Sequence, residues 1–165
     1  GPPNSVVTID LLNGDRNTAS STVTGYGPLW THATGIATTA EEQDVFVCDE
    51  DARIFRVSPE TGARTLIGEY EGIAGVETIT HLLANSTEDS LYALDSTTGA
   101  ILKVSATSGL ASIVQGESAQ VNGLHWAPVD WALKEETGTL ILRTEEPATL
   151  IEFDPTTGQG VLIAR

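Results

Sequence analysis

Apolar residues fall along this chain in short runs of three to five, divided by polar stretches rich in Thr, Ser, Gly and Asp, and no segment holds a 3.6-residue apolar period for three turns. That pattern predicts strands throughout and an all-β chain. The runs also repeat. VVTIDLLNG (6–14), IFRVSPETG (54–62), ILKVSATSG (101–109) and LIEFDPTTG (150–158) share two leading apolar residues, a third two places on, then Asp or Ser, and a closing glycine. Those glycines, Gly14, Gly62, Gly109 and Gly158, are 48, 47 and 49 residues apart, a period that marks a repeat architecture.

Each copy reads as a strand entering a tight turn in which glycine takes φ above zero, followed at a fixed offset by a second apolar pair: Leu66-Ile67, Ile113-Val114 and Leu162-Ile163. In the first copy Thr18-Ala19 stands at that offset, so its second strand is expected to shift toward Val23 or to pack poorly. Two more strands precede three of the hairpins. Ile36-Ala37, Leu82-Leu83 and Trp131-Ala132 open each unit, and Val45-Phe46-Val47, Leu91-Tyr92-Ala93 and Leu140-Ile141-Leu142 follow across polar linkers of matching length. The period therefore holds four strands.

Four antiparallel strands at a period near 48 residues resemble the blade of a β-propeller. LYALDSTTGAIL (91–102) is similar to the blade repeat of quinoprotein-type propellers, and DVFVCDEDARIFRVSPETG (44–62) resembles NHL and gluconolactonase-like blades. The resemblance implies an all-β, β-propeller-like chain of about three and a half four-stranded blades. It forms one propeller-type domain or propeller segment, with a half blade over residues 5–24 and blades over 34–69, 78–115 and 129–165. An unclosed arc exposes strand edges and apolar faces, which predicts pairing with a second copy.

Charge narrows the partners. The formal net charge is −15, and Lys103 and Lys134 are the only lysines, so nucleic acid and membrane insertion are not expected, whereas cations and basic surfaces are attracted. Cys48 is the single cysteine, which excludes an internal disulfide and suggests a plain buried thiol. Gly1-Pro2 reads as the remnant of a cleaved tag, and Asn85-Ser86-Thr87, a glycosylation sequon, reads as an exposed turn. The acidic, lysine-poor, threonine-rich composition suits an extracellular, cell-surface or periplasmic location.

Propeller geometry, carried by the resemblance, brings the segments entering each first strand to the same face as the turns between second and third strands. Those segments hold His32, His81 and His125 with Trp30 and Trp126; the turns and strand starts add Asp49, Asp95 and Asp130. Imidazoles and carboxylates in one place ligate a transition metal, and oxygens alone suit a divalent cation such as calcium. Histidines repeated by duplication and tryptophans anchoring loops are the structural alternative. Trp30, His32, His81, His125 and Trp126 are accordingly the candidate ligand-binding residues, for a protein or a carbohydrate, with Asp49, Asp95 and Asp130 as candidate metal ligands. With no nucleophile elbow, phosphate loop or H-E-x-x-H, the expectation is a non-catalytic binding or interaction module of an exported or surface protein that completes its ring by self-association. A metal-dependent hydrolase of the gluconolactonase-like kind is the alternative.

Overall fold

The computed structural model describes residues 5–9, 11–21, 23–39, 44–85, 89–115, 120–121, 124–125, 128–145 and 148–164. The chain opens with a two-stranded antiparallel sheet, β1 (Val6–Ile9) and β2 (Arg16–Ser20). A four-stranded meander follows, β3 (Ala33–Thr38), β4 (Val45–Asp49), β5 (Arg53–Val57) and β6 (Arg64–Glu69). A second meander comprises β7 (His81–Asn85), β8 (Ser90–Leu94), β9 (Ile101–Ser105) and β10 (Ala111–Gln115). After a small pair, β11 (Gln120–Val121) and β12 (Leu124–His125), a third meander closes the chain with β13 (Pro128–Lys134), β14 (Thr139–Thr144), β15 (Thr149–Asp154) and β16 (Gln159–Ala164). The four strands per period stand where the apolar runs placed them. Among the described residues the one helical element is the 3-10 turn Ile73–Gly75, and no helix is long and apolar enough to cross a membrane.

Alternation along each strand sends side chains to opposite faces of its sheet, and both faces are needed. Val45, Val47, Phe55 and Val57 of the first full sheet pack back against Val6, Ala19 and Trp30, while Phe46, Cys48 and Ile54 pack forward against Leu91, Ala93, Leu102 and Val104 of the second. Tyr92, Leu94 and Ile101 then turn forward to meet Leu140, Leu142, Ile151 and Phe153 of the third. The core is thus three apolar layers between successive sheets. First strands of neighbouring sheets touch, β3 with β7 and β7 with β13.

Two of the four repeat glycines, Gly62 and Gly109, hold the layers close. Gly14, Gly62, Gly109 and Gly158 have φ of 78°, 70°, 73° and 69°, and N–H of Gly62, Gly109 and Gly158 donates to the carbonyl four residues back at 2.8, 2.9 and 2.9 Å. A Cβ on Gly62 would lie 2.2 Å from the Ala19 carbonyl oxygen, and one on Gly109 2.1 Å from that of Ile67, so each turn sits directly on the preceding sheet.

Arg64 fastens the two-stranded sheet to its neighbour. Its buried guanidinium donates to Ser20 Oγ at 2.9 Å and to the carbonyls of Pro28, Ser21 and Thr24 at 3.0, 2.6 and 3.1 Å, and it lies over the Trp30 ring. β2 accordingly forms at its ordinary offset. Thr18 pairs with Val7, Ala19 is buried, and Val23 is exposed, so the expected shift toward Val23 does not occur. Asn85 is also corrected: it ends β7 as a buried residue, not in an exposed turn, while Ser86 and Thr87 lie outside the described residues.

Candidate functional site: the loop end of the sheets

Asp49 closes β4 and stands at the mouth of the turn to β5. Fully buried, it accepts hydrogen bonds from N–H of Thr31, Asp51 and Arg53 at 3.2, 3.2 and 3.1 Å and from Arg53 Nη2 at 2.6 Å and Nε at 3.0 Å. Arg53 Nη2 also reaches Thr31 Oγ1 at 3.0 Å and Asp51 Oδ2 at 2.9 Å. The side-on guanidinium matches the carboxylate with two donors, which a point charge cannot do. The group clips the segment entering β3 to the β4–β5 turn.

Asp95 repeats the device one period later without an arginine. Its carboxylate accepts N–H from Glu77 and Thr78, which lead to β7, and from Thr97 and Thr98 in the β8–β9 turn, at 2.8, 3.1, 2.8 and 3.2 Å. Burial alone would push this carboxyl up, but the four N–H donors outweigh it and hold Asp95 below the ordinary carboxylate value. In the third sheet a buried pair of hydroxyls, Thr144 and Thr149, 2.6 Å apart, bridges the equivalent strands.

His32 and His81 make separate contacts. His32 is exposed and its Nδ1 pairs with Glu50, whose N–H donates to the His32 carbonyl at 3.1 Å. His81 Nδ1 is 3.0 Å from Thr80 Oγ1, and Thr80 in turn donates to the Leu94 carbonyl and accepts the Ser96 N–H. His125 belongs to β12, its side chain and all of Trp126 lying outside the described residues. Trp30 is a correction. Its ring is 5% exposed, edge-on to Phe55 with centroids 6.0 Å apart and with Arg64 stacked on it, so it is a core residue rather than an open stacking platform. Asp130 is exposed and caps the N–H of Trp131 at 2.9 Å. Among the described residues no group of three or more His, Cys, Asp or Glu side chains is placed to hold a metal ion. The carboxylates of Asp49 and Asp95 act as clips between strand and loop, their oxygens taken up by donors of this chain. The Cys48 thiol is buried behind Thr34, and burial pushes it up to about 12, which keeps it protonated and inert.

Residue types alone did not single out Arg53 and Arg64, although each arginine follows a turn by a few residues. The signal was available in the pairing of Asp49 with a cation four residues on.

No protein-family model matches the chain, and no curated protein matches it in sequence. Its fold is shared widely. A crystal structure of a nidogen/laminin complex matches over 98% of this chain and 57% of that one, with a TM-score of 0.74 and 16% identity. Hydrazine synthase of Kuenenia stuttgartiensis matches over 98% and 44% at a TM-score of 0.66 and 13% identity, and the RRP9 WD40 repeats over 82% and 39% at 0.61 and 17%. At these identities the likeness defines the fold: the chain is a β-propeller arrangement of four-stranded sheets. It spans less than two thirds of each of these neighbours.

Proposed function

We propose that this chain is a non-catalytic propeller-type interaction module of an exported or surface protein, and that it binds protein first of all by completing its ring with a second copy. One observation carries the reading. The positions that seal one sheet against the next are exposed at the two ends of the arc. Phe55 and Val57, Leu102 and Val104, and Ile151 and Phe153 face the preceding sheet and are at most 2% exposed, whereas their counterparts Val7 and Ile9 are 40% and 52% exposed. Ile54 and Ile101, which face the following sheet, are wholly buried, whereas Leu150 in the same position is 38% exposed. Arg16, opposite Ile9, repeats the register of Arg64 opposite Val57. One end therefore carries what the other end's equivalents bind, the arrangement of a head-to-tail contact.

Arg143 and Glu152 give the C-terminal face a charged border, which suits an association that forms and dissociates. The neighbour solved with laminin supports a protein partner for this fold, and the net charge of −15 favours a basic one. The alternative, a metal-dependent hydrolase of the gluconolactonase-like kind, would need ligands open to a cation, whereas the carboxylates of Asp49 and Asp95 are engaged by donors of this chain.

Ile9→Asp and Leu150→Asp test the reading together. Each variant alone is expected to run as a monomer, while an equimolar mixture restores one intact interface and a dimer; variants that remain associated alone, or a mixture that remains monomeric, would overturn it.

A further inference from the structure

The segment between β2 and β3 is held by its carbonyls. Arg64, buried against it, takes the carbonyls of Ser21, Thr24 and Pro28 with its guanidinium and that of Tyr26 with its own N–H at 2.8 Å. Ser21 Oγ accepts the N–H groups of Val23 and Thr24 at 3.2 and 3.0 Å. Gly25 and Gly27, both at positive φ, lie so close to the carbonyls of Gly62 and Arg64 that a Cβ on either would strike them. With its carbonyls turned in toward one cation, the segment turns its apolar side chains out. Val23, Tyr26 and Leu29 are 84%, 68% and 51% exposed, and Tyr26 is the one exposed aromatic side chain among the described residues.

Charge sets this surface apart. The chain carries 23 Asp and Glu and 8 Lys and Arg, yet residues 17–40 hold none of them. Carboxylates return at the border. Glu60, two residues before the Gly62 on which Gly25 packs, and Glu69, at the far end of β6 from Arg64, are both exposed. An uncharged centre with an aromatic anchor has the composition of a protein-binding surface, and an acidic border calls for cations on the partner. We propose that Val23, Tyr26 and Leu29 form a docking surface for a separate protein that presents an apolar centre bordered by Lys or Arg side chains. Because the segment is already fixed in the conformation it displays, little ordering entropy opposes binding. A second copy, at a net charge of −15, offers mainly carboxylates where the border calls for cations. None of the three residues belongs to the head-to-tail contact proposed above, so the two readings fail separately.

The probe is a library of random twelve-residue peptides displayed on phage and selected against the full chain. The enriched sequences are expected to carry two or three apolar residues with Lys or Arg on either side. Synthetic copies should bind Tyr26→Ser and Leu29→Ser at least tenfold more weakly than the parent, at unchanged melting temperature. Leu110→Ser, which alters an exposed leucine after the third strand of the second sheet, should bind like the parent, and so should Ile9→Asp and Leu150→Asp. Enrichment of no common sequence, of sequences without basic residues, or of peptides that bind both the Tyr26 and the Leu29 variant undiminished would overturn the proposal. A self-association lost in Tyr26→Ser would overturn it as well, since the occupant would then be a second copy.

Discussion

Asp49 and Asp95 show how one residue type, placed at the end of a second strand, fixes the loop end of a sheet by two different means. Asp49 meets an arginine and three N–H groups, and Asp95 meets four N–H groups alone. A carboxylate gathering backbone donors from two segments makes the entry into β7 and the β8–β9 turn one rigid piece. Because the folded Asp95 lies below its unfolded value of 3.8, its contribution is complete above that pH and is lost as pH falls through the lower folded value. Thermal melts across pH 7 to 2 should therefore decline from about pH 4 downward. Asp95→Asn should be less stable at pH 7, because one carbonyl replaces two accepting oxygens and an amide faces donors, and its acid decline should be shallower. Parallel declines in the two proteins would assign the acid sensitivity to other carboxylates.

At the scale of the element, the turns at Gly62 and Gly109 decide how closely sheets approach. Gly14 and Gly109 share φ near 75°, but a Cβ on Gly14 meets nothing within 4 Å, whereas one on Gly109 strikes the Ile67 carbonyl. Gly14→Ala should cost about 1–2 kcal/mol from backbone conformation alone. Gly109→Ala should cost more, since β9 and β10 must also move off the preceding sheet. Equal losses in urea denaturation would contradict the close contact. The same turns explain why the repeat was readable: an obligatory positive φ leaves a glycine at a fixed place, and intervals of 48, 47 and 49 residues marked out the strand order of three complete sheets. β2 was harder, because Thr18 and Ala19 are not apolar enough to mark a strand; the buried Arg64 that anchors this region comes from 44 residues beyond Ser20. β11 and β12 are two residues each, too short for any apolar period. The candidate site was less legible than the fold. His32, His81 and Trp30 lie near one another in motif but not in environment, and burial, which separates a core tryptophan from an exposed histidine, depends on Phe55 and Arg64 from other strands.

At the scale of the whole molecule, successive sheets are glued by alternate faces, so an arc of such sheets has two unlike ends. Val7 and Ile9 at one end and Leu150 at the other repeat, in the open, contacts that are sealed twice or more within the chain. Burying an aliphatic side chain is worth about 1.5–3 kcal/mol, so covering these residues is the driving force that the proposed self-association would draw on. The most direct measurement is the solution mass of the unaltered chain by light scattering behind a sizing column, over a hundredfold range of concentration. A mass rising to twice 17.4 kDa is the predicted result, and a mass of 17.4 kDa at every concentration would contradict ring completion by a second copy.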